Sequence, residues 1–177
     1  AGPPDPRGPG AAIERFKKDR QLVTKEALNA TKCKEFLDQL LSPYGLGVND
    51  LFPIVRKGNI VYGNNNSTFR LQTEAGFSTT PKAYFEANPN SNFVASRSLA
   101  NAVFFQDPSD IIDATRSHNA AVATHEALHN LPKVEGGGTF FLFTDKTIGD
   151  RYGHPEWADD STGITDTIQK NCFPGEE

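Results

Sequence analysis

Cys33 and Cys172 are the only cysteines of a 177-residue chain, and 139 residues separate them. That spacing excludes a CxxC metal or redox pair. Joined, the two would close most of the chain into one loop and tie its first helical region to its last helix. Chain entropy makes such a link worth roughly 4–5 kcal/mol, less any strain. The expectation is a disulfide, and with it an oxidising location: secreted, extracellular or periplasmic. The alternative is a pair of buried free thiols.

A 19.3 kDa chain with 37% apolar and 23% charged residues has material for one domain with a real core. Residues 11–177 are expected to form that domain, as a monomer. The opening stretch AGPPDPRGPG, residues 1–10, is rich in proline and glycine and reads as a linker or tail without regular structure. No apolar run approaches the length of a membrane span. A net charge of -4 without a basic stripe argues against nucleic acid as a partner. Methionine is absent even from the first position, and no apolar signal segment opens the chain; both fit a processed product or an excerpt.

Apolar positions in 11–42 recur at three and four residues, through Ile13, Phe16, Val23, Leu28, Cys33, Phe36, Leu37, Leu40 and Leu41. This predicts a pair of helices, with Thr24 or Thr31 as a cap and Ser42-Pro43-Tyr44-Gly45 as the stop. From Val48 to Gln106 the period changes toward strands. Residues 59–62 read as a strand, 63–67 as a turn, 68–71 as its hairpin partner and 102–105 as a further strand; 82–85 fit a short helix. Residues 113–131, stopped by Pro132, read as one helix of about 18 residues. After a triglycine joint at 136–138 and a short apolar segment at 139–143 comes a short helix from Thr144-Asp145 to Gly153. A last helix follows Asp160-Ser161, with Ile164, Ile168 and Cys172 on its apolar face. The expected fold is α+β: a small, mostly antiparallel sheet packed on one long helix, with a smaller helical C-terminal lobe.

That long helix carries His125-Glu126-Ala127-Leu128-His129. Positions i and i+4 share a helical face, so two imidazoles one turn apart can grip one ion. Zinc suits the pair, because it takes imidazole and carboxylate ligands and leaves a position for water. The ion would lower the pKa of that water and polarise a carbonyl, with Glu126 as the proton acceptor. The small residues Ala120, Ala121 and Ala123 let the helix pack closely. The competing reading is an exposed face that happens to carry two histidines.

Through His125, Glu126 and His129 the chain resembles the zincin metallopeptidases, whose signature is this HExxH helix. The resemblance implies two histidine ligands, a glutamate general base and hydrolysis of peptide bonds in a peptide or protein substrate. It also implies an edge strand that holds the substrate backbone, for which 102–105 is the candidate.

The third ligand stays open. Glu135 stands six residues after His129, where a metzincin places its third histidine, but Pro132 replaces the turn glycine and no methionine exists for a methionine turn. Glu156 would serve a gluzincin arrangement. The stretch from Thr144 to Gly153 loosely resembles the aspzincin signature, which makes Asp145 the first choice and Asp150 the second. His154 is a further candidate. If the aspzincin likeness holds, Tyr152 would stabilise an oxyanion; otherwise it is a core aromatic.

Asp5-Pro6-Arg7-Gly8, the stretch from Cys33 to Leu40 and the HEALH helix together resemble the C-terminal tails of bacterial Rhs-repeat proteins. That likeness implies an exported toxin or effector with a specific target. A third possibility is a non-catalytic binding module that keeps the helix without metal. Weaker features have plainer explanations. Asp107, Asp110 and Asp113 suit helix capping better than calcium. His118, two turns before His125, reads as a solvent-exposed histidine. The glycosylation-like triplets beginning at Asn29, Asn65 and Asn66 fall among expected turn residues.

Overall fold

Proline and threonine set the boundaries of the first helices. In the computed structural model, which describes residues 6–58, 60–62, 69–70, 78–79, 103–105, 107–135, 138–141 and 143–175, helix α1 spans Pro9–Asp19. Proline is tolerated in a first turn because the N–H it lacks has no helical partner there. The helix therefore begins inside the stretch expected to be irregular. Helix α2 (Lys25–Asn29) is capped by Thr24, whose Oγ1 accepts the Ala27 N–H at 3.0 Å. Helix α3 (Thr31–Leu41) buries Cys33, Phe36, Leu37, Leu40 and Leu41 and stops in the Ser42–Tyr44 turn.

The region expected to turn to strands opens instead with a helix, α4 (Val48–Lys57). Val48, Leu51 and Val55 lie at helical intervals on its buried side, and Pro53 sits on the exposed side, where one missing hydrogen bond is tolerated. At its start the Gly47 N–H donates to Asp50 Oδ2 at 2.9 Å.

The expected mostly antiparallel sheet is not present: the described residues are mostly helical. Strands occur among them only as two-stranded pairs. Strand β1 (Ile60–Tyr62) does not pair with Phe69–Arg70, the described part of its expected partner. It runs parallel to β4 (Val103–Phe105), with Ile60 opposite Val103 and both buried. Strand β2 (Phe69–Arg70) pairs antiparallel with β3 (Ser78–Thr79), and β5 (Pro132–Glu135) pairs antiparallel with β6 (Gly138–Phe141). The physical reason is length. At about 3.3 Å per residue, strands of two to four residues offer too small a face to cover a helix, so the core closes between helices. The turn expected at 63–67 and the short helix expected at 82–85 lie outside the described residues.

Helix α5 (Ser109–Ile112) precedes the central helix α6 (Arg116–His129). α6 is shorter than the 113–131 expectation because Thr115 breaks into extended backbone and caps it, accepting the His118 N–H at 3.0 Å. Nearly every side of α6 is covered, from Ser117 through Ala120, Ala121 and Ala123 to Leu128, by α1, α4, the Arg20–Leu22 turn and the last helix. Buried Asp19 at the end of α1 accepts from Arg15 and from Asn119 Nδ2 of α6 at 2.8 Å, which fixes the two helices to each other.

Helix α7 (Asp145–Arg151) is capped by Thr144 and closed by Gly153 at a φ of 76°, where a side chain would be strained. Helix α8 (Thr162–Cys172) ends the fold. Cys33 and Cys172 are bonded, joining α3 to α8 with a Cα–Cα distance of 4.5 Å. No helix among the described residues is long and apolar enough to cross a membrane.

Candidate metal centre

His125 and His129 occupy successive turns of α6 and present their rings on one side, with centroids 4.8 Å apart. Opposite them stands Asp145, the first residue of α7. Its Oδ1 lies 2.9 Å from His125 Nε2 and 3.0 Å from His129 Nε2. Thr144 aims that carboxylate: as N-cap it sets where α7 starts, and its Oγ1 accepts the Thr147 N–H at 3.1 Å.

The far side of each ring is also held. His129 Nδ1 donates to the Phe143 carbonyl at 2.8 Å, and His125 Nδ1 lies 2.9 Å from Thr165 Oγ1 on α8. A carbonyl can only accept, so His129 carries its proton on Nδ1 and turns the Nε2 lone pair toward Asp145 when neutral. This is the second-layer arrangement that fixes the tautomer of a metal-binding imidazole.

Among the described residues, His125, His129 and Asp145 form a group that could hold a metal ion, with one ligand atom from each within 4.8 Å of the others. Ligand atoms on a tetrahedral zinc stand about 3.3 Å apart. The two nitrogen–oxygen contacts would open by a few tenths of an ångström, while the two imidazole nitrogens, the widest pair of the group, would close toward that value by ring rotation. Side-chain exposures of 6% for His125, 21% for His129 and 34% for Asp145 show which way the group opens: toward solvent on the Asp145 side.

Without an ion, a proton mediates the contact. Burial disfavours the His129 imidazolium, but the Asp145 hydrogen bond, the Glu126 charge and the Phe143 carbonyl outweigh it and hold its pKa at about 9. Burial likewise opposes the Asp145 carboxylate, yet the hydrogen bonds from both histidines keep it well below the usual carboxylate range. Glu126 is half-buried on α6, close enough for its charge to act on His129.

The other ligand candidates are engaged elsewhere. Exposed Asp150 pairs with Lys146 one turn back on α7 at 2.6 Å. His154 stacks on Trp157 at 4.4 Å and its Nδ1 lies 2.9 Å from Glu156 Oε1, so these two candidates face each other in solvent. Glu135 ends β5, and its side chain lies outside the described residues. Tyr152 stacks on Phe36 at 4.5 Å and donates its hydroxyl to the Phe36 carbonyl; burial raises its pKa. It is a core aromatic rather than an oxyanion donor.

Asp107 and Asp110 make local bonds at the start of α5, Asp107 Oδ1 accepting the Ser109 N–H at 2.9 Å and Asp110 Oδ2 the Asp107 N–H at 3.4 Å, and Asp113 pairs with Arg7 at 2.9 Å. His118 is half-buried in the first turn of α6, less open than expected. Asn29 donates within α2 to the Lys25 carbonyl, and the triplets at 65 and 66 lie outside the described residues. Sequence reasoning missed Thr165 and the Phe143 carbonyl. The one signal for Thr165 was its position between Ile164 and the apolar stripe that leads to Cys172.

No protein-family model matches the sequence, and no curated protein or solved structure matches it at a significant level. The likeness to the zincins rests on His125, Glu126 and His129 themselves.

Proposed function

We propose that the chain is a zinc-dependent hydrolase of peptide bonds in which His125, His129 and Asp145 hold the ion and Glu126 is the general base. The observation that carries this reading is the convergence of two imidazole Nε2 atoms and one carboxylate oxygen from α6 and α7 on one point. Two neutral imidazoles and a carboxylate are a donor set that zinc accepts in hydrolytic sites while keeping a position for water. A bound zinc ion would supply a Lewis acid that lowers the pKa of a coordinated water toward 7 and polarises the scissile carbonyl.

The chain's own residues do the rest. Phe143 and Thr165 keep the rings turned so that both Nε2 atoms face the same point. Glu126, beside His125 in sequence and half-exposed, takes the proton of the attacking water and returns it to the amine nitrogen as the C–N bond breaks. Burial of His125 closes one side of the site, and substrate would approach from the more exposed Asp145 side. The Cys33–Cys172 disulfide supports action in an oxidising compartment, as a secreted protein.

The test measures zinc stoichiometry and turnover of unfolded protein together, for the wild type and for Glu126→Gln. Both are expected to hold one zinc, and the variant to lose about 10²–10⁴-fold in rate. A variant with near-wild-type turnover removes Glu126 from the mechanism. A chain that takes zinc and cleaves neither unfolded protein nor a quenched peptide points to an effector with a specific target. A chain that takes no ion is a non-catalytic binding module.

A further inference from the structure

We propose that Thr165 is a positioning residue of this centre: its hydroxyl accepts the His125 Nδ1–H in the ion-bound form and thereby supports the affinity for the ion. The proposal rests on the metal-centre reading and adds to it a residue in the last helix, far from the HExxH motif in sequence.

His125 is 5% exposed and Thr165 7% exposed, so water does not readily replace either partner. Thr165 Oγ1 lies 2.9 Å from His125 Nδ1. A ring that gives its Nε2 lone pair to an ion must carry its proton on Nδ1, and a buried N–H without an acceptor is costly. Thr165 Oγ1 supplies that acceptor.

A hydroxyl can also do what the Phe143 carbonyl at the other ring cannot. It rotates, and so donates as well as accepts. With no ion present, Thr165 can donate to His125 Nδ1 while His125 Nε2–H points at Asp145 Oδ1, 2.9 Å away. Asp145 thus has a hydrogen-bond donor in His125 when the site is empty, and His125 can turn its Nε2 lone pair to an ion when one arrives. The two rings divide the work: His129 is locked in one tautomer by Phe143, and His125 can exchange between two.

The fold holds Thr165 in place for this. Cys172 stands two turns further along α8, and its disulfide anchors that helix to α3. α3 holds α7 as well, through the Tyr152–Phe36 stack and the Arg151 Nε bond to the Gln39 carbonyl at 2.6 Å. One helix therefore frames both the element that brings Asp145 and the element that brings Thr165.

Zinc affinity is measured on the full, disulfide-bonded chain by competition with a chromophoric chelator, for the wild type, Thr165→Val and Thr165→Ser. Val keeps the shape and removes the hydroxyl; Ser keeps the hydroxyl and removes the methyl. Val is expected to weaken zinc binding about 10–100-fold, with an unchanged far-UV spectrum, and Ser to restore most of the loss. In the zinc-loaded wild type, nitrogen NMR should show the His125 proton on Nδ1, and that resonance should lose its protection from solvent exchange in the Val variant. Equal affinity in Val and wild type overturns the proposal, and so does a Ser variant as weak as Val, which would make the role one of packing. Wild type that binds no zinc removes the metal-centre reading, and this inference falls with it.

Discussion

His129 Nε2 and Asp145 Oδ1 lie 3.0 Å apart on different helices, although the ring's only donor in its neutral form already serves the Phe143 carbonyl. Two acceptors at that distance repel, so the contact exists only with something positive between them. In the metal-free chain that is a proton on the imidazole; in the proposed holoprotein it is the ion.

Proton and ion therefore compete, and ion uptake should depend steeply on pH. His129 holds its proton up to about pH 9 and must release it to bind. Zinc affinity measured across pH 6.5–9.5 is expected to rise by about tenfold per unit and to level off near 9. A flat profile would mean that His129 is not a ligand.

The metal-free chain should show the opposite trend in stability. The raised pKa of His129 contributes stability that is fully present below about pH 6.5 and is lost as pH climbs through about 9. Because Asp145 is the partner in the same contact, its lowered pKa is not an additional gain in that window. Urea melts with chelator present should give a midpoint that falls between pH 6.5 and 9, and a midpoint constant over that range contradicts the ion pair.

Replacing ligand candidates should separate the residues that meet from those that do not. Asp145→Ala is expected to lower zinc affinity by at least 10-fold, since it removes the charged ligand. Asp150→Asn and His154→Ala should leave affinity within about 3-fold of wild type, because Asp150 pairs with Lys146 and His154 with Glu156. Loss of zinc in either control, with Asp145→Ala intact, would transfer the ligand role.

The disulfide should be visible in solution. Thiol titration of the unfolded, unreduced protein is expected to find no free thiol, and Cys33→Ser with Cys172→Ser to lower stability by about 2–5 kcal/mol. Two titratable thiols in protein made under oxidising conditions would contradict the linkage.

Gly163 should be intolerant of any side chain. A Cβ built there stands 2.1 Å from Trp157 Nε1 and cannot be fitted without moving the indole, whereas one at Gly47 meets nothing within 4 Å. Gly163→Ala is expected to lower stability by about 1–3 kcal/mol with a shift in tryptophan fluorescence. Gly47→Ala should be close to neutral. Equal stability of the two variants would mean that α8 does not press on Trp157 in solution.

Much of the candidate site was readable from the chain because it is local. The i, i+4 spacing of His125 and His129 needs only a helix to bring the rings together, and the short helix opened by Thr144 was legible from its cap. The disulfide was readable from cysteine count and spacing. The sheet was not. Helix α4 was missed because its buried residues Val48, Leu51 and Val55 include β-branched types and Pro53 interrupts the pattern, signals that read as strand until a packed neighbour overrides them. The partner of β1 was misjudged for a related reason: a nearby run looks like a hairpin, but pairing follows from which strand can bury Ile60 against Val103.

The sequence by itself determined which residues could do chemistry, since periodicity and residue type are local properties of the chain. Only the tertiary structure placed Asp145, and not Asp150 or His154, beside the two histidines, and only it brought in Thr165. Those choices depend on how α7 and α8 pack against α6 and on their anchorage to α3. No spacing in the chain encodes that packing, because it is fixed by burial of side chains that lie far apart along it.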